Sequence, residues 1–250
     1  MAKVIAPFKI VGTLDDLVFY LDQENNNLVK TKGNTGITKE QFRDYPIFQK
    51  VKNHGADFGR CTKKAQIFRK LAHYFNVRAK DGSFAGRANK LMLDIVNEDT
   101  TNPHGQRTVE EGMKSEDSKT YFVGFEGNKL RPLKTVLKTK WSWNPEDSQF
   151  TIKSFNPTKS IDWPETAEQV HIAIARANWN YIQDTFTTEY SEEIIIKKEE
   201  KATSINLKTN IPTENQLQLV FLYIGFSTQD RKKSKELKRS NNTVTIIWSH

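Results

Sequence analysis

The stretch IFQKVKNHGADFGRCTKKAQIFRKLAHYF, Ile47–Phe75, decides how this chain is read. Ile47, Val51, His54, Phe58, Cys61, Ala65, Phe68, Ala72 and Phe75 recur at alternating steps of four and three. That rhythm places all nine on one side of a helix, which the spacing predicts from Pro46 to Phe75. Phe58 and Phe68 are accordingly expected in a core. Arg60, Lys63, Lys64 and Lys70 lie off the seam and Arg69 sits beside it, so the same helix offers a cationic face to something else. Gly55 and Gly59 interrupt it; each costs ~1 kcal/mol against alanine in a helix interior, so either the helix bends there or another backbone comes close.

Outward from this segment, Ser83 to Asn97 predicts a second helix with Phe84, Ala88, Leu91 and Ile95 as its stripe. Asp81-Gly82 forms the turn, and the pair is an αα-hairpin. Upstream, Phe8–Val11, Leu17–Tyr20 and Leu28–Lys30 read as a small β-meander. Gly33–Thr38 reads as a loop, with Thr38 able to cap a turn through Gln41. Residues 97–118 look like a linker with one turn of helix near Val109. From Tyr121 onward the chain turns to short β-rich runs: 121–125, 135–139, 149–155, 170–175, 193–197, 203–207, 218–224 and 244–248. With no long helix among them, they predict an antiparallel sandwich. The fold class is therefore α+β. A β-meander and basic helical hairpin occupy residues 1–117, and a β-sandwich able to fold alone occupies residues 118–250.

Composition sets outer limits. The 250 residues are 36% hydrophobic and 27% charged, with 15 Phe, 7 Tyr and 5 Trp, enough for a real core. One cysteine, Cys61, excludes an intrachain disulfide framework and a cysteine-cluster metal site. No signal-peptide run and no membrane span of 18 apolar residues is present, so a cytoplasmic protein is the default expectation. The net charge of +8 is concentrated: residues 38–90 carry thirteen Lys/Arg against four acids. Such a field attracts nucleic acid, anionic lipid or an acidic protein surface, or is merely solvated.

Three groups of residues resemble a set of uncharacterised proteins that recur in Bacteroidota genomes. They are Gly12-Thr13-Leu14 with Phe19-Tyr20 and Lys32-Gly33; Pro46-Ile47-Phe48 with Asn53-His54-Gly55-Ala56-Asp57-Phe58-Gly59; and Asn102-Pro103-His104-Gly105-Gln106-Arg107. The similarity covers residues 8–127. In that set an Arg and a Glu commonly stand where this chain has Lys52 and His54. The resemblance implies a two-part helical and β architecture and no activity.

No catalytic signature emerges. His54 and His73 are too far apart on one helix to share a metal, and His104, His171 and His250 are scattered. Cys61 and His73 would lie ~18 Å apart along a straight helix. Glu236-Leu237-Lys238 has nuclease-like spacing but sits in a cationic loop, and no glycine loop cradles phosphate. The basic run 230–239 reads as a second phosphate-binding patch or, in the simpler and favoured reading, as a solvated hairpin loop whose charges discourage edge aggregation. Trp141 and Trp143 alternate and share a sheet face. No cofactor and no metal is expected, and a small-molecule ligand is left unspecified. Two functions remain. One is a non-enzymatic structural or assembly protein that self-associates or docks a protein partner. The alternative is a nucleic-acid-binding protein using Arg60, Lys63, Lys64, Arg69 and Lys70.

Overall fold

The computed structural model describes residues 2–33, 36–212, 216–230 and 233–250. The chain divides into two compact units, residues 1–52 and 53–250. The first is a four-stranded antiparallel sheet, β1 (Ala2–Lys3), β2 (Gly12–Leu14), β3 (Leu17–Leu21) and β4 (Asn27–Thr31), in the order β1-β4-β3-β2. The meander is there, but its first long strand is Gly12–Leu14 rather than Phe8–Val11. Helix α1 (Lys39–Asp44) follows, and its start is the expected one: Thr38 and Gln41 form a reciprocal capping box. A single 3-10 turn at Pro46–Phe48 leads into helix α2 (Gln49–Phe68), with proline where no amide is needed.

The long helix does not run to Phe75. After α2 the chain passes through a tight turn at residues 69–72 and restarts as α3 (His73–Ala79), then α4 (Phe84–Asn97). The stripe is core only in its second half. Cys61, Ala65, Phe68, Ala72 and Phe75 are buried, whereas Ile47 and Val51 are exposed and Phe58 is 45% exposed. Gly55 and Gly59 do not serve a close approach, since a Cβ at either would meet nothing within 4 Å.

Seven of the remaining strands are β5 (Ser142–Asn144), β6 (Gln149–Phe155), β7 (Gln169–Asn180), β8 (Thr185–Tyr190), β9 (Ile194–Lys197), β10 (Thr203–Lys208) and β11 (Leu217–Asp230). The last two are β12 (Lys233–Glu236) and β13 (Thr243–Ser249). They build a six-stranded sheet centred on β7 and β11 and a three-stranded sheet β10-β6-β5. The runs 121–125 and 135–139 are not strands: 3-10 helix and a short helical turn take their place.

Every residue of β7 but the last is buried, which requires cover on both faces. Val170, Ile172 and Ile174, with Val220, Leu222 and Ile224 of β11, meet Phe150, Ile152, Ile205 and Leu207 of the smaller sheet. On the opposite face Ala173, Ala175, Ala177 and Trp179, with Leu219, Phe221 and Tyr223, meet Phe68, Phe75, Met92 and Ile95 of the helices. Alternating large and small side chains along Ile172-Ala173-Ile174-Ala175 let both layers close on one strand. The expected sandwich therefore exists, but a third, helical layer shares its central sheet. This overturns the boundary at 117/118, because one core straddles it and the chain divides at 52/53 instead. Residues 97–118 are no linker, since Asp99, Val109, Gly112 and Met113 are buried, but the turn of helix expected near Val109 is there, at Val109–Gly112. Among the described residues no helix is long and apolar enough to cross a membrane.

Candidate functional site

The five cations expected on one open face have separate fates. Lys64 is 8% exposed, and its ammonium bonds Asp184 and Glu110 at 2.6 Å each and the Tyr181 carbonyl at 2.5 Å. Burial works against its charge, but the bonds to Asp184 and Glu110 outweigh it and raise its pKa. Arg60 is half-buried and donates to Asp57 and to the carbonyls of Gly105 and Arg107. Arg69 donates to Asn89 Oδ1 at 3.3 Å. Only Lys63 and Lys70 of the five are exposed. The continuous basic face is thus corrected: spacing along a helix shows which side a residue occupies, and tertiary partners decide whether that side meets water.

Arg60 belongs to a latch between α2 and the loop 102–108. Asp57 is buried, and its carboxylate accepts from the amides of Gly105 (3.0 Å) and Arg107 (3.2 Å) and from Arg60 (2.7 Å). The Arg107 guanidinium lies 3.4 Å away. Burial works to raise the Asp57 pKa, but the Gly105 amide and the two arginines hold it below the usual carboxylate value. Gly105 has φ +99°, and a Cβ there would stand 2.7 Å from Asn53, so only glycine lets the loop close on the helix. The latch also brings together His54 and His104, which the sequence left apart: Nδ1 and Nε2 are 3.3 Å from each other. Asp57→Ala strands two guanidinium groups and two amides. A loss of ~3 kcal/mol is expected, the low end for a broken buried pair because Arg60 reaches water. Urea unfolding measures it, and a loss below ~1 kcal/mol would show that the latch is ornamental.

A second polar network lies under the edge of the large sheet. The order Ser227 Oγ, His171, Glu193 reproduces that of a hydrolase triad. Ser227 Oγ is 2.8 Å from His171 Nε2, and His171 Nδ1 is 2.6 Å from Glu193 Oε1. However, Ser227 is wholly buried, and its hydroxyl is enclosed by His171, Gln169 and Ser234, leaving no approach for a carbonyl carbon. His171, Glu193 and Glu236 also converge closely enough for a metal, but Arg78 already bonds both carboxylates. Its guanidinium supplies the positive charge that an ion would bring. Burial works to raise the Glu193 pKa, yet the bonds from Arg78 and His171 hold it at about 2. Arg78 also lies over the Tyr74 and Tyr223 rings. The network joins α3 to the sheet and explains Glu236 without nuclease chemistry. Arg231 and Lys232 of the basic run lie outside the described residues.

Cys61 is buried, and burial, then the nearby Asp57 charge, push its thiol to about 11, which leaves it unreactive. Trp143 is half-buried against Trp248, and Trp141 tilts against Phe150.

The N-terminal unit presents the opposite situation. Among its described residues no hydrophobic side chain is buried. Cross-strand register puts Leu14, Leu17, Phe19, Leu21 and Val29 on one sheet face. Leu14, Leu17 and Leu21 are all exposed, as are Ile5, Phe8 and Val11 beside the sheet. Phe19 and Val29 on the same face are half-buried, and Asn27 beside them is buried against the Ile10 backbone. The sequence locates this meander, but how far its apolar face is exposed is visible only in three dimensions.

No family model, curated protein or solved structure matches this chain.

Proposed function

We propose that this chain is a non-enzymatic assembly protein whose N-terminal unit docks onto the same unit of a second copy. The observation that carries the reading is the apolar face of Leu14, Leu17, Phe19, Leu21 and Val29, whose three leucines are exposed and whose Phe19 and Val29 are only half-buried. A four-stranded sheet with one apolar face is half of a two-layer structure. Fully burying a leucine or phenylalanine contributes about 1.5–3 kcal/mol, so leaving this face in water forgoes most of what would hold the unit together. A second copy brings a face of matching size and chemistry, and two-fold dimers with self-complementary interfaces are the commonest oligomers.

The nucleic-acid alternative keeps less support, since Arg60, Lys64 and Arg69 all hold internal partners. Phosphate binding needs cations free to replace counterions.

Sedimentation of the full chain and of residues 53–250 tests the proposal. The full chain is expected to be a dimer or larger and the shorter chain a folded monomer. Leu17→Glu, placing a charge in the middle of the face, is expected to shift the full chain toward monomer. A full chain that stays monomeric as concentration rises would overturn the reading.

A further inference from the structure

At one end of the sandwich, where the large sheet runs past the small one, the buried face of β7 changes from isoleucine to Arg176 and Asn178. Arg176 is 4% exposed. Its Nε (3.1 Å) and Nη2 donate to Gln218 Oε1, and its Nη1 donates to the Pro145 carbonyl at 3.3 Å. The guanidinium lies 5.9 Å from the Trp143 ring centre and 5.6 Å from that of Trp248. Those bonds use three of its five N–H groups. Among the described residues no carboxylate pairs with it, whereas the nearly buried Arg78 pairs with Glu193 and Glu236, as a buried charge ordinarily does. Two positions along, Asn178 is 5% exposed and its Oδ1 has no hydrogen-bond partner among the described residues. A buried amide oxygen left bare costs free energy, and nothing in the packing of the two sheets accounts for it.

Both side chains line a cleft of about 440 Å³, within the range of small-molecule sites. Glu189 of β8, directly across from Arg176 in the strand register, lines it too. Its carboxylate takes a 3.4 Å bond from Asn210 and forms no ion pair with Arg176 among the described residues. Opposite charges one strand apart are thus held separate, with a bare acceptor close by. Phe186, Ile211 and Pro212 supply an apolar wall.

We propose that this cleft binds a free α-amino acid with an apolar side chain. The carboxylate meets the spare N–H groups of Arg176, the ammonium meets Asn178 Oδ1 and Glu189, and the side chain lies on Phe186, Ile211 and Pro212. A simple anion would leave Asn178 unsatisfied and face Glu189. A simple cation would face Arg176. Only a ligand that carries both charged groups on one carbon fits the pattern.

Isothermal titration of the full chain tests this with L-phenylalanine, L-leucine, N-acetyl-L-phenylalanine and L-phenylalaninamide. The two amino acids are expected to bind. Each capped compound is expected to bind about tenfold more weakly or worse, the cost of one charge-assisted hydrogen bond. The N-acetyl compound also separates a free amino acid from a peptide C-terminus. Gln218→Glu gives Arg176 an internal carboxylate and is expected to weaken L-phenylalanine binding while the protein stays folded. Glu189→Gln, at an exposed position, is expected to weaken it as well. Absence of binding by both amino acids, equal binding of the capped compounds, or unchanged affinity in Glu189→Gln would each overturn the assignment.

Discussion

Residues 118–250 produced alone are expected not to fold, and residues 53–250 are expected to fold cooperatively. The central sheet in the shorter fragment would keep its sandwich partner but lose the helices from its other face. Trp179, Leu219, Phe221, Tyr223, Val244 and Ile246 would then meet water. At about 1.5–3 kcal/mol for each large apolar side chain re-exposed, the loss reaches ~10 kcal/mol, comparable to the whole net stability of a domain. Circular dichroism with a thermal melt decides it. A cooperative, strand-rich transition in 118–250 would mean that the helical layer is dispensable and the shared core energetically minor.

The second large effect separates two phenylalanines that are indistinguishable by periodicity. Phe68→Ala is expected to cost ~3–5 kcal/mol, the range for emptying a buried aromatic site. Phe68 is 1% exposed and packs against Phe122 and Phe125, with ring centres 5.7 and 5.2 Å away. Phe58→Ala, ten residues earlier on the same stripe, is expected within about 0.5 kcal/mol of the parent. Denaturant midpoints of the two variants measure the difference directly. Equal losses would mean that Phe58 is covered in solution.

The break in the long helix illustrates why the pattern alone misled. Arg69-Lys70-Leu71-Ala72 contains neither glycine nor proline, so local propensity favours continuing. The turn persists because its freed carbonyls are caught from elsewhere. Asn76 Nδ2 donates to the Arg69 carbonyl at 3.1 Å, and the Thr188 hydroxyl of β8 donates to that of Leu71 at 2.5 Å. Thr188 lies 117 residues from Leu71 in sequence, and nothing in a short window reports it. The exposed first half of the stripe has a related cause. Heptad spacing marks a face, and only the extent of the sheet beneath decides how much of that face is covered.

Features governed by neighbours in the chain were legible from the residues. The capping box at Thr38, the proline entering α2, the N-terminal meander, β6 and β10, and the α+β class all rest on propensities and periods that act within a turn or a strand. Features governed by distant partners were not. Lys64 turns inward because Asp184, 120 positions away, and Glu110 hold it. Asp57 and the loop at Gly105 form a latch across 48 positions. Arg176, Asn178 and Glu189 acquire their meaning only from the register of β7 with β8 and β11. A residue's polarity and period are local properties, but the burial and pairing that set its role belong to the packed chain, and these were settled by which surfaces the sheets and helices brought together.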